Sequence, residues 1–142
     1  MNKSLSREHP QAFTWCPNPS SFEGITLNEQ LLLTKYILLD LITCTKFTLY
    51  PELTKRNNIH YHGIIFITDI ESFNKVLQEI QSHGYTCMKP KPNMGWVKYC
   101  RKDLDKMNQL YPHVQLPMTE TSLKTELEYK LQSIKDRSYF LN

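Results

Sequence analysis

The run from Ile59 to Ile67, Ile-His-Tyr-His-Gly-Ile-Ile-Phe-Ile, constrains the fold more than any other stretch of the 142-residue chain. Its residues are mostly β-branched or aromatic, and it follows a Lys-Arg-Asn-Asn turn at 55–58, so it reads as a strand. The apolar half predicts burial on both faces. The polar half sets His60 and His62 two residues apart, and side chains at i and i+2 leave a strand on the same side. The two imidazoles therefore converge, spaced to share a divalent cation.

Other elements arrange themselves around this strand. Gln11 to Cys16, stopped by Pro17, predicts a first strand, and Thr45 to Tyr50 a second. Thr26 with Glu29 has the capping-box pattern and opens a helix whose buried face is expected at Leu32, Tyr36, Leu39 and Ile42. Thr68 with Glu71 predicts a second box, with Phe73, Val76, Leu77 and Ile80 facing the core and Gly84 as the stop. Tyr85 to Met88 reads as a fourth strand. Asn93 is placed to cap a helix running to about Asn108. A last amphipathic helix is expected from the spacing of Leu123, Leu127, Leu131 and Ile134. Strand–helix–strand–strand–helix–strand predicts an α+β fold, with helices packed on a mostly antiparallel sheet.

Composition narrows the function classes. Four cysteines without a CxxC pair offer neither a zinc ribbon nor a redox motif, and free thiols in a reducing, intracellular compartment are expected. The N-terminal decapeptide is polar and shows no secretory signal. The most apolar stretch, Leu31 to Cys44, carries Lys35 and Asp40 and is too short and too charged to span a membrane. Net charge is +3, but from Met88 to Lys106 six basic residues face two acidic ones, a local +4. The remaining eleven basic and twelve acidic residues leave −1 elsewhere. A patch formed by Lys89, Lys91, Lys98, Arg101 and Lys106 suits a phosphate backbone.

Three pieces carry the chemistry. The first is the histidine pair. The second is Glu52, which a hairpin through the Lys-Arg-Asn-Asn turn would bring near His60; one carboxylate and two imidazoles leave open positions on Mg²⁺ or Mn²⁺ for phosphate oxygens. The third is Tyr99-Cys100-Arg101-Lys102-Asp103. On that helix Val97, Cys100, Leu104 and Met107 share the expected core face, while Tyr99, Lys102, Asp103 and Lys106 share the opposite one. Positive charge beside a phenol favours the phenoxide that attacks phosphorus, and Lys102 can also stabilise the developing charge on phosphate. Each piece alone has a plain structural reading: a hydrogen-bonded histidine, an exposed strand-end carboxylate, a solvated basic helix face. Together they are what a transesterifying nickase needs.

These motifs resemble the HUH endonuclease domain of replication-initiator (Rep) proteins of small circular single-stranded DNA viruses. IHYHGIIF resembles the family's metal motif, YCRKD its nucleophile motif, and FTWCPNP, more loosely, its first motif. Over residues 10 to 110 they stand in the family's order. The resemblance implies a five-stranded antiparallel sheet flanked by helices, one strand more than the residue pattern supplies. It implies Tyr99 as nucleophile, Lys102 as its charge partner, His60, His62 and Glu52 as ligands of Mg²⁺ or Mn²⁺, and Asp103 as an aid to the metal. It also implies an origin hairpin of single-stranded DNA as partner, further helicase or host replication proteins, and a host nucleus if the virus infects a eukaryote.

Residues 1–116 are expected to form the endonuclease domain and 117–142 a C-terminal helical tail or linker. The four glycines cannot form a P-loop, so no such ATPase lies within these 142 residues. A single-tyrosine transposase or a plasmid initiator would share the chemistry. A non-enzymatic nucleic-acid-binding module would leave His60, His62 and Tyr99 unexplained.

Overall fold

The computed structural model describes residues 9–141, with side chains described through residue 136. Residues 1–8, most of the N-terminal stretch read for a secretory signal, lie outside the described residues. In chain order the elements are β1 (Gln11–Pro17), α1 (Leu27–Leu38), β2 (Thr45–Leu53), β3 (Ile59–Ile67), α2 (Ile70–Ser82), β4 (Gly84–Pro90), α3 (Met94–Arg101), α4 (Leu104–Leu110), β5 (Met118–Thr119) and α5 (Glu120–Leu141). The strands form one antiparallel sheet in the order β4-β1-β3-β2-β5, an α+β architecture with β3 at its centre. Among the described residues no helix is long and apolar enough to cross a membrane.

Alternation along β3 assigns the two faces of the sheet. Ile59, Tyr61, Ile65 and Ile67 are fully buried and share one core with Leu31 and Leu38 of α1 and Phe73 and Ile80 of α2. Ile64 and Phe66 point the other way and are only half-buried, so the apolar half of the strand is not enclosed on both faces as expected. The covering helices occupy one side, and the other side is left largely open. His60 and His62 belong to that second side.

α1 holds β3 in place through polar contacts in the core. Its capping box forms as the sequence predicts. Its buried face is Gln30, Leu31, Thr34, Ile37 and Leu38, however, and Leu32 and Tyr36 are exposed. The segment is apolar on more than one stripe, so the partners decide which stripe is buried. The Thr34 hydroxyl lies 2.7 Å from the buried Tyr61 hydroxyl. The Gln30 side-chain amide donates to the Asn57 carbonyl and its oxygen accepts from the Ile59 amide, which clamps the β2–β3 turn. Leu39 and Ile42 pack on the core from a 3₁₀ segment (Leu39–Thr43) rather than from the helix.

Other boundaries shift for local reasons. α2 is capped by Asp69, which accepts from the Ser72 amide, and not by Thr68; a carboxylate meets the free amides of a helix start more strongly than a hydroxyl does. Gly84 opens β4 rather than ending the helix: at φ +151° a Cβ there would stand 2.2 Å from the Cys16 carbonyl oxygen. The single helix expected from 93 to 108 is two, broken at Lys102 and Asp103. The fifth strand is the two-residue β5, paired with β2 through Thr48–Thr119 and Leu49–Met118. It comes from the segment expected to be a tail, and that segment also sends Leu123 into the core and pairs Glu126 with Lys35 at 2.7 Å. Further along α5 the expected apolar stripe is unpacked, with Leu131 and Ile134 exposed.

Candidate active site

Strand register brings the polar side chains together. Glu52 pairs with His60 across β2 and β3, and Thr14 pairs with His62 across β1 and β3. Paired and diagonal neighbours project from the same face, so Thr14, His60, His62 and Glu52 all stand on the open side of the sheet. The Glu52 Oε2 atom lies 2.6 Å from His62 Nε2, and Thr14 Oγ1 lies 3.0 Å from His62 Nδ1.

α3 closes over this cluster. Asn93 caps it by accepting from the Trp96 amide, as expected, and Cys100 is its buried contact. Tyr99, 43% exposed, has its ring 5.1 Å from that of His62 at a steep angle. Lys102, at the end of α3, reaches Glu52 Oε1 at 3.0 Å and sits over the Tyr99 ring at 4.2 Å from its centre. Tyr99, Lys102, His62 and Glu52 thus meet in one place although 47 residues separate Glu52 from Tyr99 in the numbering.

The charges are mutually set. Burial pulls the His62 imidazole below its ordinary pKa, outweighing the attraction of Glu52. Burial also lowers His60. Burial works to raise Glu52, but Lys102 and His62 outweigh it and hold the carboxyl below its usual range. Lys102 is raised, chiefly by its hydrogen bond to Glu52. An ionised carboxylate can only accept, so His62 Nε2 donates to Glu52, and in the neutral ring Nδ1 accepts from the Thr14 hydroxyl.

This donor set suits a divalent cation chemically, though it is not gathered around one as it stands. Among the described residues no three His, Cys, Asp or Glu side chains are grouped to hold an ion. The two oxygens of Glu52 are instead held by His62 and by the Lys102 ammonium. His62 Nε2 and Glu52 Oε2 are the nitrogen and oxygen donors that Mn²⁺ or Mg²⁺ accepts, and His60 stands beside them. When Nε2 binds a metal the imidazole proton belongs on Nδ1, and the Thr14 hydroxyl can turn from donor to acceptor to hold it there.

The remaining expected residues are spread around this centre. Asp103 is half-buried at the α3–α4 break; its charge acts on His62 without an ion pair to it. Lys89, Lys91, Lys98, Arg101 and Lys106 are all exposed, and among the described residues none is paired with a carboxylate. Two contributors escaped the sequence reading. Thr14 needs the β1–β3 register to be seen. Trp96 carried a signal, because Trp96, Tyr99 and Lys102 are spaced three apart and so form one stripe of a helix.

Comparisons with models of known families, with curated proteins and with solved structures find no match.

Proposed function

We propose that this protein cuts and rejoins single-stranded DNA by transesterification at Tyr99, in the manner of a replication initiator that starts rolling-circle synthesis. The observation that carries the reading is the Tyr99 ring lying against both His62 and the Lys102 ammonium, which in turn both hold the Glu52 carboxylate. Nearly half exposed, with an imidazole and an ammonium against its ring, Tyr99 is open to a phosphodiester and has positive charge beside it.

In the reaction Tyr99 loses its phenolic proton and its Oη forms a bond to phosphorus. The bond from phosphorus to the 3′ oxygen breaks, and that oxygen takes up a proton to leave as a free 3′-hydroxyl. The 3′ fragment stays on the protein as a 5′-phosphotyrosine, and attack by a 3′-hydroxyl reverses the step and joins the ends. Lys102 lies where it can stabilise charge on the phenolic and phosphate oxygens. His60, His62 and Glu52 are the residues to hold Mg²⁺ or Mn²⁺, with Asp103 nearby. A cation there supplies Lewis-acid charge at the scissile phosphate. Lys89, Lys91, Lys98, Arg101 and Lys106 offer unpaired positive charge for flanking phosphates, and the partner on this reading is an origin hairpin.

The test uses 3′-labelled single-stranded oligonucleotides of randomised sequence, incubated with the protein and Mn²⁺ and run on a denaturing gel. A labelled band at protein size is expected; Tyr99→Phe abolishes it and EDTA prevents it. An adduct that survives in Tyr99→Phe overturns the nucleophile, and one that forms without divalent metal overturns the mechanism.

A further inference from the structure

Tyr99 is 43% exposed, and a phenol with that much room ordinarily samples several staggered rotamers. Catalysis by this group requires its oxygen to be held in line with phosphorus, and a misplacement of about 1 Å can cost about a hundredfold in rate. The buried residue of α3 is Cys100, about 100° around the helix from Tyr99, so it does not face the Tyr99 ring.

Trp96 can. Its ring stacks on that of Tyr99, with centres 5.6 Å apart and planes 23° from parallel. It also meets the edge of His62, at 5.7 Å and 87°. Its indole N–H donates to the carbonyl of Gly63 at 2.8 Å, on the residue that follows His62 in β3. Gly63 lies within β3, paired with Phe13 of β1 and Leu49 of β2, and a Cβ there would stand 2.0 Å from the Thr48 carbonyl oxygen. In a helix a side chain leans toward the turn before it, so Tyr99 leans onto Trp96. Lys102, three residues further on, approaches the same ring from the other end of the stripe. The Tyr99 ring is thus tied through one indole to the backbone of the strand that carries the histidines.

We infer that Trp96 is the positioning residue for the nucleophile: it sets the Tyr99 ring against the His62 strand and does not itself touch the reacting atoms. This rests on Tyr99 being the nucleophile. A purely structural indole would leave the rate per folded molecule unchanged when replaced. A positioning indole changes that rate and leaves DNA affinity nearly alone.

The experiment compares wild type, Trp96→Phe and Trp96→Ala in two measurements. The first is the single-turnover rate of adduct formation with saturating oligonucleotide and Mn²⁺, alongside the oligonucleotide dissociation constant. The expected loss of rate is about 10- to 100-fold for Trp96→Ala and roughly 3- to 10-fold for Trp96→Phe, which keeps a ring but loses the N–H anchor, with affinity changed less than about threefold. The second is NMR of tyrosine-labelled protein without DNA. The Tyr99 ring signals, identified by their loss in Tyr99→Phe, should be ring-current shifted in wild type and relax toward free-tyrosine positions in Trp96→Ala. If Trp96→Ala does not fold, Trp96→Phe decides both measurements. A wild-type rate in a folded variant overturns the inference, whatever the signals do. Lost shifts in a protein whose wild type forms no adduct would keep the positioning contact and sink the nicking reading instead.

Discussion

Glu52 is the residue on which most of the site depends, because each of its oxygens answers to a different partner. One oxygen meets His62 and the other meets Lys102. The Lys102 ammonium occupies part of the negative charge that a divalent cation would use, so the two compete. Lys102→Met is therefore expected to bind Mn²⁺ a few-fold more tightly than wild type in calorimetry, within what a half-exposed ion pair worth up to about 1 kcal/mol allows. On the proposed reaction the same variant is expected to lose adduct formation, because the charge beside Tyr99 is gone. Weaker Mn²⁺ binding in Lys102→Met would show that the lysine supports the metal site rather than competing with it. Glu52 and the two histidines were legible from spacing alone, since period-2 projection and a short turn bring them to one side. The pairing of Glu52 with Lys102 was not, because it depends on where α3 lies over the sheet.

At the level of elements, the strands were easier to read than the helix faces. β3 announced itself by composition, and its turn by Lys-Arg-Asn-Asn. α1 misled because Leu31, Leu32, Leu33, Ile37, Leu38 and Leu39 offer two apolar stripes, and the choice was made by Thr34 meeting Tyr61 and Gln30 meeting the β2–β3 turn. β5 was missed because two residues carry no period. The docking of α5 behind it has a titratable element in Glu126, which contacts Lys35 of α1 and Lys130. Burial works to raise the Glu126 pKa, and the two lysines reverse this and hold it below its ordinary value. A carboxyl with a depressed folded pKa stabilises the fold above its unfolded pKa and loses that contribution as pH falls through the folded value. Glu126→Gln should therefore melt below wild type by an amount that is constant from about pH 8 to 5 and closes below about pH 4, with a cost of no more than about 1 kcal/mol for this partly exposed pair. Melting curves across pH check this. A difference that grows in acid would contradict the assignment.

The whole molecule is a sheet with two unlike faces. One carries the helix-covered core, and the other carries Thr14, His60, His62 and Glu52 under a short helix that delivers Tyr99. The α+β class with an antiparallel sheet was readable from element order and motif spacing, whereas the fifth strand was expected only from the family resemblance. The division of labour between the faces was not readable, because Ile64 and Phe66 are as apolar as Ile65 and Ile67, and only the packing of α1 and α2 on one side tells them apart. Covalent attachment of DNA to Tyr99 is the step on which the proposed reaction stands. It is tested most directly by trimming the DNA of the purified adduct with nuclease, digesting with trypsin and locating the residual nucleotide by mass spectrometry. Cleavage after Lys98 and Arg101 releases the tripeptide Tyr99-Cys100-Arg101, and that peptide should carry a nucleotide through its phenolic oxygen. A nucleotide on any other residue, or DNA cleaved with no peptide modified, would rule out Tyr99 as the nucleophile.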